Sequence, residues 1–550
     1  MLGCPDKHKK NAKIDSMIKR LDTPSRLPQQ LKQKIAGLMI PLFSIRTEHN
    51  LGAGEILDLI PCMDYMKTHH LGVLQMLPIY ETAPDETSPY QALSSFAIDP
   101  AYLSVLGTTR FQNDDAVRAY LASEDIQTHL KSLEEKKTAD LKTLRALKYQ
   151  LLHLVFKTFK SEEWDKETAQ ARMLQDFIQE KSEWLEDYAL FWQIKENQNW
   201  MPWCDWPERL KNRDKECLKQ FQVDHAEGIL FIQYVQWVLW SQWAEVRQHA
   251  KTHNMRIMGD LPFLLSQDSA EIWRAPHLFH ADLSVGAPPD DFSETGQDWG
   301  LPCFNWEEME KENLNWWRLR IREAAHCYDL IRLDHVVGFF RVWVMPKTGD
   351  PYFEPWAEDA QIVRGKTLLS VIIEEAGQCI PIAEDLGCIP DFVRNILNEM
   401  QIAGLKIMRW EKQGEVYIHP RDYAPLSLAT TGTHDTSTLL AWWQEMSLEL
   451  RRNFLGLLDV LDVHSPESDF SEILQHRVLD LLLGSPSQLV ILPIQDILLE
   501  EDRINIPGTV GPHNWGYRMP ILLSGLDQDP RYCKKISYLS QAILRSERSG

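Results

Sequence analysis

The sequence predicts a (β/α)8 barrel with an inserted helical subdomain and irregular lid loops. Three observations lead to this fold class. Eight short runs of aliphatic residues recur along the 550-residue chain, helical patterns occupy several of the intervals between them, and one interval is far too long for a single crossover helix. Strands of a parallel sheet that is covered on both faces show continuous apolar runs instead of alternation, so the runs are predicted to be buried parallel strands.

The predicted strands alternate with helical stretches in the order that a barrel requires. Residues 355–377 and 389–402, for example, have helical patterns, and each stretch lies between two of the aliphatic runs. Eight alternating units favour a closed barrel, with an open, doubly wound sheet as the alternative. The predicted strands are residues 37–45, 71–79, 255–262, 328–334, 379–384, 404–410, 426–433 and 489–496.

The long interval between the second and third predicted strands indicates an inserted helical subdomain at about residues 105–225, where the sequence is charged and helix-prone. Residues 226–250 have apolar side chains at helical spacing, which predicts the barrel helix before the third strand. Residues 266–310 are rich in Pro, Gly and Asp and lack periodicity, which predicts an irregular but ordered lid. We therefore divide the chain into an N-terminal extension, residues 1–35, and a catalytic barrel, residues 36–550.

The composition excludes several classes of protein. A hydrophobic fraction of 44% and a charged fraction of 25% are typical of a globular protein. The formal net charge of -21 would repel a polyanion, so no nucleic-acid partner is expected. No run is apolar and long enough to span a bilayer, and the basic first twenty residues lack the apolar core of a signal peptide. We expect a soluble cytoplasmic protein without a membrane partner.

The cysteines and aromatic residues give two further indications. The nine cysteines are scattered, odd in number and never spaced Cys-x-x-Cys, which argues against a disulfide framework or a zinc cluster, so reduced thiols are expected. The chain also has 20 Trp, 15 Tyr and 19 Phe residues, most of which should belong to the core. A sugar-binding cleft, however, also needs flat apolar faces that stack against pyranose rings.

Three acidic residues stand where predicted strands end: Asp334 in IRLDH, Glu384 in IAEDLG and Asp435 in TGTHD. Because the carboxyl ends of barrel strands converge on one mouth, acids at these positions are candidates for chemistry. Any one of them alone would be interpreted as an exposed loop acid. All three together, each after an apolar strand, favour a functional site.

Two mechanisms could use three such acids. In retaining glycosyl transfer, one carboxylate attacks the anomeric carbon and a second acts as general acid and then as general base. In a magnesium-dependent enolase-type site, the acids hold the ion and a Lys or His abstracts a proton. The strand-end candidate for that base is Lys406, which could equally be structural. A glycosyl site needs a cation beside the nucleophile, and Arg332 lies two residues before Asp334 on the same strand face.

At these residues the chain resembles glycoside hydrolase family 77, the 4-α-glucanotransferases (amylomaltases, or disproportionating enzymes). The resemblance runs from about residue 37 to residue 520 and is weakest in the helical insertion. Each matching string is short, but their order and joint presence are specific. The strings are SPYQALSSFAIDP, GDLPF, APPDDFSETGQDWGLPCFNW, RLDH, IAEDLG, GTHDTSTLLAWW and RINIPGTVGPHNWGYR. Many members of the family continue His-Phe-Arg-Gly after the nucleophile, whereas here Val336 and Val337 follow His335. This departure bears on which acceptor sugar the enzyme prefers.

The resemblance implies a role for each matching residue. Asp334 would be the nucleophile, Glu384 the general acid and base, and Asp435 would grip the sugar hydroxyls and favour the distorted ring. Arg332 would keep Asp334 ionised, and Asp260 would support the site. The remaining implied substrate contacts are His434 at the cleaved sugar, Ser88, Tyr90 and Asn514 on the donor side, and Asp290, Gln297 and Trp299 in the lid. By residue type and position, His335, His434 and Gln297 are also available as donors for sugar hydroxyls. For Ser88 and Asn514, capping of turns is the alternative.

The implied activity is transfer of α-1,4-glucan segments to the 4-hydroxyl of another glucan or of glucose, without a metal or other cofactor. The expected substrate is a malto-oligosaccharide or a glycogen-type glucan, and the expected assembly is a monomer or a small homo-oligomer. An aromatic lid that stacks an acceptor sugar and excludes water would favour transfer over hydrolysis. The alternatives are an α-glucan hydrolase of the α-amylase type, the enolase-type enzyme and a noncatalytic glucan-binding protein.

Overall fold

The computed structural model describes residues 33–289 and 296–550. Its centre is a closed barrel of eight parallel strands, which confirms the predicted fold class and excludes the open sheet. The barrel strands are β1 (Ile35–Met39), β2 (Val73–Gln75), β3 (Arg256–Leu261), β6 (Leu330–Leu333), β9 (Ile380–Ala383), β10 (Ala403–Ile407), β13 (Ser427–Thr430) and β14 (Leu489–Pro493). Around the barrel the neighbouring strands follow the order β1, β14, β13, β10, β9, β6, β3 and β2.

All eight predicted runs overlap a barrel strand, and two of the runs continue past a proline into a different element. The first run passes Pro41 and becomes the 3-10 turn Leu42–Ser44. The last run ends as a strand at Pro493 and continues as the short helix Ile494–Leu498. Proline lacks the amide hydrogen that a strand donates to its neighbour, so both strands stop at a proline although the apolar character continues.

Helices cover the outside of the barrel. The predicted helices at 226–250, 355–377 and 389–402 are observed at Ala226–Thr252, Glu358–Ala376 and Asp391–Glu399. The other helices after β1 are Leu59–Thr68, Ala270–Arg274, Trp306–Lys311, Asn315–Cys327, Leu439–Glu445, Leu448–Leu457, Glu472–Leu483 and Cys533–Arg545. Among helices of the described residues, none combines the length and apolar character that a membrane span requires.

The interval between β2 and β3 contains a group of helices. Two buried ion pairs tie its helix Leu141–Phe159 to loops of the barrel: Arg145 contacts Asp99 at 2.6 Å, and Lys148 contacts Glu55 at 2.8 Å. Breaking a buried pair leaves a charge without its partner, so these contacts hold the insertion against the barrel. The helices are Thr109–Gln112, Asp115–Leu121, Glu124–Glu135, Leu141–Phe159, Ala169–Glu180, Ser182–Asn197, Glu208–Lys211 and Lys215–Asp224.

The lid is more regular than the sequence predicts. Within the predicted irregular segment 266–310, strands β4 (Phe279–Ala287) and β5 (Gln297–Phe304) pair antiparallel. They belong to a four-stranded sheet with β7 (Val342–Pro346) and β8 (Tyr352–Glu354). The β4–β5 pairing shifts register twice, between His280 and Ser284 and between Val285 and Gly286. These irregularities break the two-residue alternation by which a strand is recognised in sequence. A two-stranded ribbon, β11 (Lys412–Gln413) and β12 (Val416–Tyr417), follows β10.

Candidate active site

Asp334 and Glu384 lie side by side at the carboxyl ends of neighbouring barrel strands. Strands β6 and β9 are paired with Leu333 opposite Ala383, and the next residue on each strand is one of the two acids. The backbone ladder continues one step further, since the Glu384 amide donates to the Leu333 carbonyl at 3.0 Å. Register alone therefore places both carboxylates at the same mouth of the barrel.

A single buried guanidinium joins three carboxylates. Arg332 Nη1 contacts Asp334 Oδ1 at 3.0 Å, and Nη2 contacts Glu384 Oε1 at 2.9 Å. Nη1 also donates to both oxygens of Asp260 at 2.7 Å, because Asp260 lies opposite Arg332 in the pairing of β3 with β6. The Arg332 side chain is only 2% exposed. Asp334 and Glu384 thus contact one cation, which keeps the two carboxylates close together, and retaining glycosyl chemistry uses a close pair of carboxylates.

The protonation of this cluster follows from burial and charge. Burial disfavours the positive charge of Arg332, but Asp260 and Glu384 outweigh burial and raise its pKa well above the usual range. Burial raises the pKa of Glu384 to about 7; Arg332 opposes the rise and Asp334 adds to it. Burial likewise raises the pKa of Asp260, against the influence of Arg332. Near neutral pH, Glu384 can therefore exchange a proton, which is the property of a general acid and base.

The backbone of His335 holds the Glu384 carboxylate. His335 has a left-handed conformation with φ of 48°, and its amide donates to Glu384 Oε2 at 2.7 Å. Its ring lies 4.9 Å from the ring of Trp299 on the lid strand β5, in an edge-to-face arrangement. Burial lowers the pKa of the His335 imidazole to about 4, so the ring is neutral at neutral pH. His335 connects the lid to the acid on β9.

Asp435 lies beyond a strand end and not on it, which corrects the prediction that a strand reaches residue 433. Strand β13 ends at Thr430, and Asp435 follows in a turn in which the Thr433 amide donates to Thr436 Oγ1 at 3.0 Å. The turn diverts the chain before the acid, so a contact from elsewhere must position the carboxylate. Asn505 Nδ2 supplies that contact by donating to Asp435 Oδ1 at 2.6 Å.

His434 and Asp435 form an ion pair, with 3.1 Å between Nε2 and Oδ2. Burial opposes ionisation of Asp435, but His434 and the hydrogen bond from Asn505 outweigh it and lower the carboxyl pKa to about 2. Burial also opposes protonation of His434, and Asp435 outweighs it, so the imidazole pKa is raised. Asp435 therefore offers an ionised carboxylate near neutral pH, whereas Glu384 can exchange a proton.

Tyr90 links the two halves of the cluster. Its hydroxyl donates to Asp260 Oδ2 at 2.8 Å and lies 3.0 Å from His434 Nε2. The Tyr90 and His434 rings stack with centroids 5.4 Å apart, and Trp515 packs against Tyr90 at 5.6 Å. The predicted residue Tyr90 thus joins the acids of the barrel strands to the loop that carries Asp435.

The remaining predicted residues are Ser88, Asn514, Gln297 and Asp290. Ser88 Oγ accepts from the Tyr90 amide at 3.4 Å, and Asn514 bonds to the backbone of Ile506 and Thr509 at 2.9 Å each. Both contacts are the turn-capping interactions named as the alternative in the sequence. Gln297 begins lid strand β5 and is half-buried. Asp290 lies outside the described residues.

Sequence reasoning missed Asn505, which holds Asp435, and Arg503, whose Nη2 donates to the Asp435 carbonyl at 2.8 Å. Both stand in the string RINIPGTVGPHNWGYR, from which only Asn514 was selected. The string marks the loop, but 70 residues separate Asn505 from Asp435. No local pattern indicates which amide of the loop meets the acid.

Replacing Asn505 with alanine should lower kcat/KM for maltotriose, a member of the substrate class expected from the sequence, by about tenfold to a hundredfold, because Asp435 would lose a charge-assisted hydrogen bond. Initial transfer rates in wild type and variant measure the effect. The matched control is Asn212→Ala, which removes a 2.7 Å Asn–Glu hydrogen bond on an exposed helix of the insertion. Equal rates for the two variants would mean that Asn505 does not position Asp435.

The enolase-type alternative requires a free base and a cation-binding set of acids. Lys406 is paired with Glu411 at 3.1 Å, so its ammonium already has a carboxylate partner. The Arg332 guanidinium supplies positive charge between Asp334 and Glu384, which disfavours a divalent cation at the same place. The geometry therefore favours a glycosyl site over a magnesium site.

Comparison with protein families identifies relatives over most of the chain. The family model of glycoside hydrolase family 77, described as 4-alpha-glucanotransferase, matches residues 40–524. A 4-alpha-glucanotransferase of Chlamydia muridarum is 34% identical over 499 residues, which cover 88% of this chain and 90% of that protein. A 4-alpha-glucanotransferase of Thermus thermophilus is 31% identical over 487 residues, covering 86% and 91% respectively.

Solved structures share the architecture. The amylomaltase from Streptococcus agalactiae in complex with acarbose superposes with a TM-score of 0.79 at 25% identity, covering 94% of this chain and 100% of that one. The amylomaltase from Corynebacterium glutamicum superposes with a TM-score of 0.76 at 22% identity, covering 94% and 76%. At 22% identity, the similarity to the Corynebacterium glutamicum protein shows a shared fold alone.

Proposed function

The chain belongs to glycoside hydrolase family 77, the 4-α-glucanotransferases, and on this premise we propose that Asp334 is its nucleophile and Glu384 its general acid and base. The enzyme transfers segments of α-1,4-glucan to the 4-hydroxyl of another glucan or of glucose. The observation that carries the residue assignment is the contact of both carboxylates with the single guanidinium of Arg332.

In the first step, the Asp334 carboxylate attacks C1 of the donor sugar while the bond from C1 to the glycosidic oxygen breaks. Glu384 gives its proton to that oxygen, so the leaving chain departs with a neutral 4-hydroxyl. In the second step, Glu384 removes the proton from the incoming 4-hydroxyl, whose oxygen attacks C1 and displaces Asp334. The two inversions retain the α configuration. The pKa of Glu384, raised to about 7 by burial, supports its two opposite roles.

The groups around Asp334 and Glu384 support these two proposed roles. Arg332 contacts the Asp334 carboxylate, while Asp260 and Tyr90 orient the guanidinium and His434. Asp435, ionised and fixed by Asn505, accepts hydrogen bonds from hydroxyls of the sugar that becomes flattened at the transition state. Trp299 and Gln297 of the lid, Ser88 and Asn514 complete the proposed sugar contacts, with His335 between the lid and Glu384. Asp290 is proposed for the lid from the family resemblance alone.

Incubation with maltotriose tests the activity. We expect glucose together with a ladder of longer malto-oligosaccharides, without a net rise in reducing ends, because each cleaved bond is replaced by a new one. Maltose and glucose with rising reducing ends would instead indicate a hydrolase of the α-amylase type. Unchanged maltotriose that nevertheless binds would indicate a noncatalytic glucan-binding protein, and loss of activity in a strong chelator would indicate a magnesium enzyme.

The state of assembly and the location are proposed on separate grounds. We propose that the protein is a monomer or a small homo-oligomer. We propose a reducing compartment such as the cytoplasm because the eight described cysteines are free thiols. The catalytic unit is proposed to comprise residues 36–550, with the helical insertion held to the barrel by its buried ion pairs. The N-terminal extension, residues 1–35, is almost entirely outside the described residues.

A further inference from the structure

Three potential metal ligands meet at the end of the barrel opposite the acidic cluster. Asp64 lies on the helix Leu59–Thr68, His249 on the helix Ala226–Thr252, and His253 is the residue that caps the latter helix. One carboxylate oxygen of Asp64 and one ring nitrogen of each histidine all lie within 4.8 Å of one another. We propose that these three residues bind a divalent transition-metal ion such as Zn²⁺.

The helix geometry presents both imidazoles on one side. Residues four apart on a helix share a face, which is the spacing that His-x-x-x-His zinc sites use. Here the His249 and His253 rings stack with centroids 4.0 Å apart and planes 24° apart. Both side chains are only partly buried, so an ion could reach them from solvent.

A backbone contact selects the tautomer that a metal needs at His253. Its Nδ1 lies 2.9 Å from the His249 carbonyl oxygen, and since a carbonyl can only accept, Nδ1 carries the hydrogen. The neutral ring then has its lone pair on Nε2, which is free to bind an ion. Metal-ligating histidines usually donate their other ring N–H to a carbonyl or a carboxylate in this manner.

The electrostatics of the position also favour a cation. His249 Nε2 lies 2.8 Å from Asp64 Oδ1, and an ion that binds both atoms replaces the proton between them, which is released. The site lies at the carboxyl end of a 27-residue helix, where the helix dipole contributes partial negative charge. Lys67 on the neighbouring helix donates to the His253 carbonyl at 2.8 Å and so fixes the capping residue.

The ligand set indicates the class of ion and its effect. Imidazole nitrogens favour Zn²⁺, Ni²⁺ and Cu²⁺ over Mg²⁺ and Ca²⁺, which prefer oxygen ligands. The two helices precede β2 and β3, so the ion would join them where these strands begin, whereas Asp334 and Glu384 lie where strands end. The ion should therefore stabilise the fold without changing the rate of glucan transfer.

Calorimetric titration with Zn²⁺ tests the proposal. The protein should be untagged, stripped with a chelator and alkylated, because a histidine tag and the exposed thiols of Cys204 and Cys388 would bind zinc themselves. We expect one saturable site with micromolar affinity, a melting temperature raised by about 2 °C or more at saturating zinc, and unchanged maltotriose transfer. Absence of saturable binding below millimolar zinc would overturn the proposal.

The variant His253→Ala separates a metal site from a simple ion pair, because it leaves the contact between His249 and Asp64 in place. It should weaken zinc binding about tenfold or more, abolish the rise in melting temperature that zinc causes, and lower the melting temperature of the metal-free protein only slightly, through loss of one ring-to-carbonyl hydrogen bond. His277→Ala is the matched control, since it removes the exposed 2.7 Å pair of His277 with Glu312 and should keep zinc affinity at the wild-type value. Zinc binding that survives in His253→Ala, or that falls equally in His277→Ala, would contradict the assignment.

Discussion

Replacing Asp334 with asparagine should reduce kcat for maltotriose transfer by about 10⁴-fold or more, because a neutral amide cannot displace the leaving sugar oxygen from C1. The fold should persist, since Arg332 keeps its contacts with Asp260 and Glu384. Product formation measured by chromatography gives the rate, and thermal unfolding gives the stability. An asparagine variant with the wild-type melting temperature and activity within tenfold of wild type would mean that the nucleophile is another residue.

Two additions make the test of Asp334 more specific. An activated fluorosugar donor should form a covalent adduct on the wild-type protein, detectable as a mass increase on the peptide that contains residue 334 and absent from the variant. The matched control is Asp527→Asn, because Asp527 is an exposed acid that contacts His69 at 3.2 Å far from the mouth of the barrel. Its activity should remain at the wild-type level.

Replacing Glu384 with glutamine should lower the rate with maltotriose by about 10²- to 10⁴-fold, because the leaving oxygen would depart without a proton. A donor with an activated leaving group, such as a maltosyl fluoride, does not need that proton, so the first step should recover. Added azide should restore the second step, since azide attacks without losing a proton, and should give a product of retained configuration. Loss of activity that neither reagent restores would contradict the role of Glu384 as acid and base.

The same residue sets the expected pH dependence. In the proposed mechanism the first step needs protonated Glu384, and with a pKa raised to about 7 the acid form is present below that pH and is lost as the pH rises through it. The rate with maltotriose should therefore fall on the alkaline side. The residual activity of the variant Glu384→Gln with maltotriose should lack this alkaline fall, because glutamine does not titrate. An unchanged alkaline limb in the variant would assign the titration to another group.

The barrel and two of its acids could be predicted from local sequence because each depends on neighbouring residues. A buried parallel strand needs only a short aliphatic run, so all eight barrel strands were recognisable. Asp334 and Glu384 come directly after two of these strands, so the predicted strands place both acids at the same mouth of the barrel. The roles proposed for the two acids rest on the resemblance of short strings to a family. The position of Arg332, two residues before Asp334, adds the cation beside the proposed nucleophile.

The tertiary structure decided every feature that joins distant parts of the chain. Asn505 donates a hydrogen bond to Asp435, 70 residues away in sequence. The lid strand β4 pairs with β7, and the barrel strand β6 lies between them in sequence. Asp64 and His249 meet across 185 residues. The sequence determined which segments are apolar strands and which residues could do chemistry, because periodicity and residue type are local. Which side chains touch was decided by closure of the barrel, because the strand register aligns segments that are unrelated in sequence.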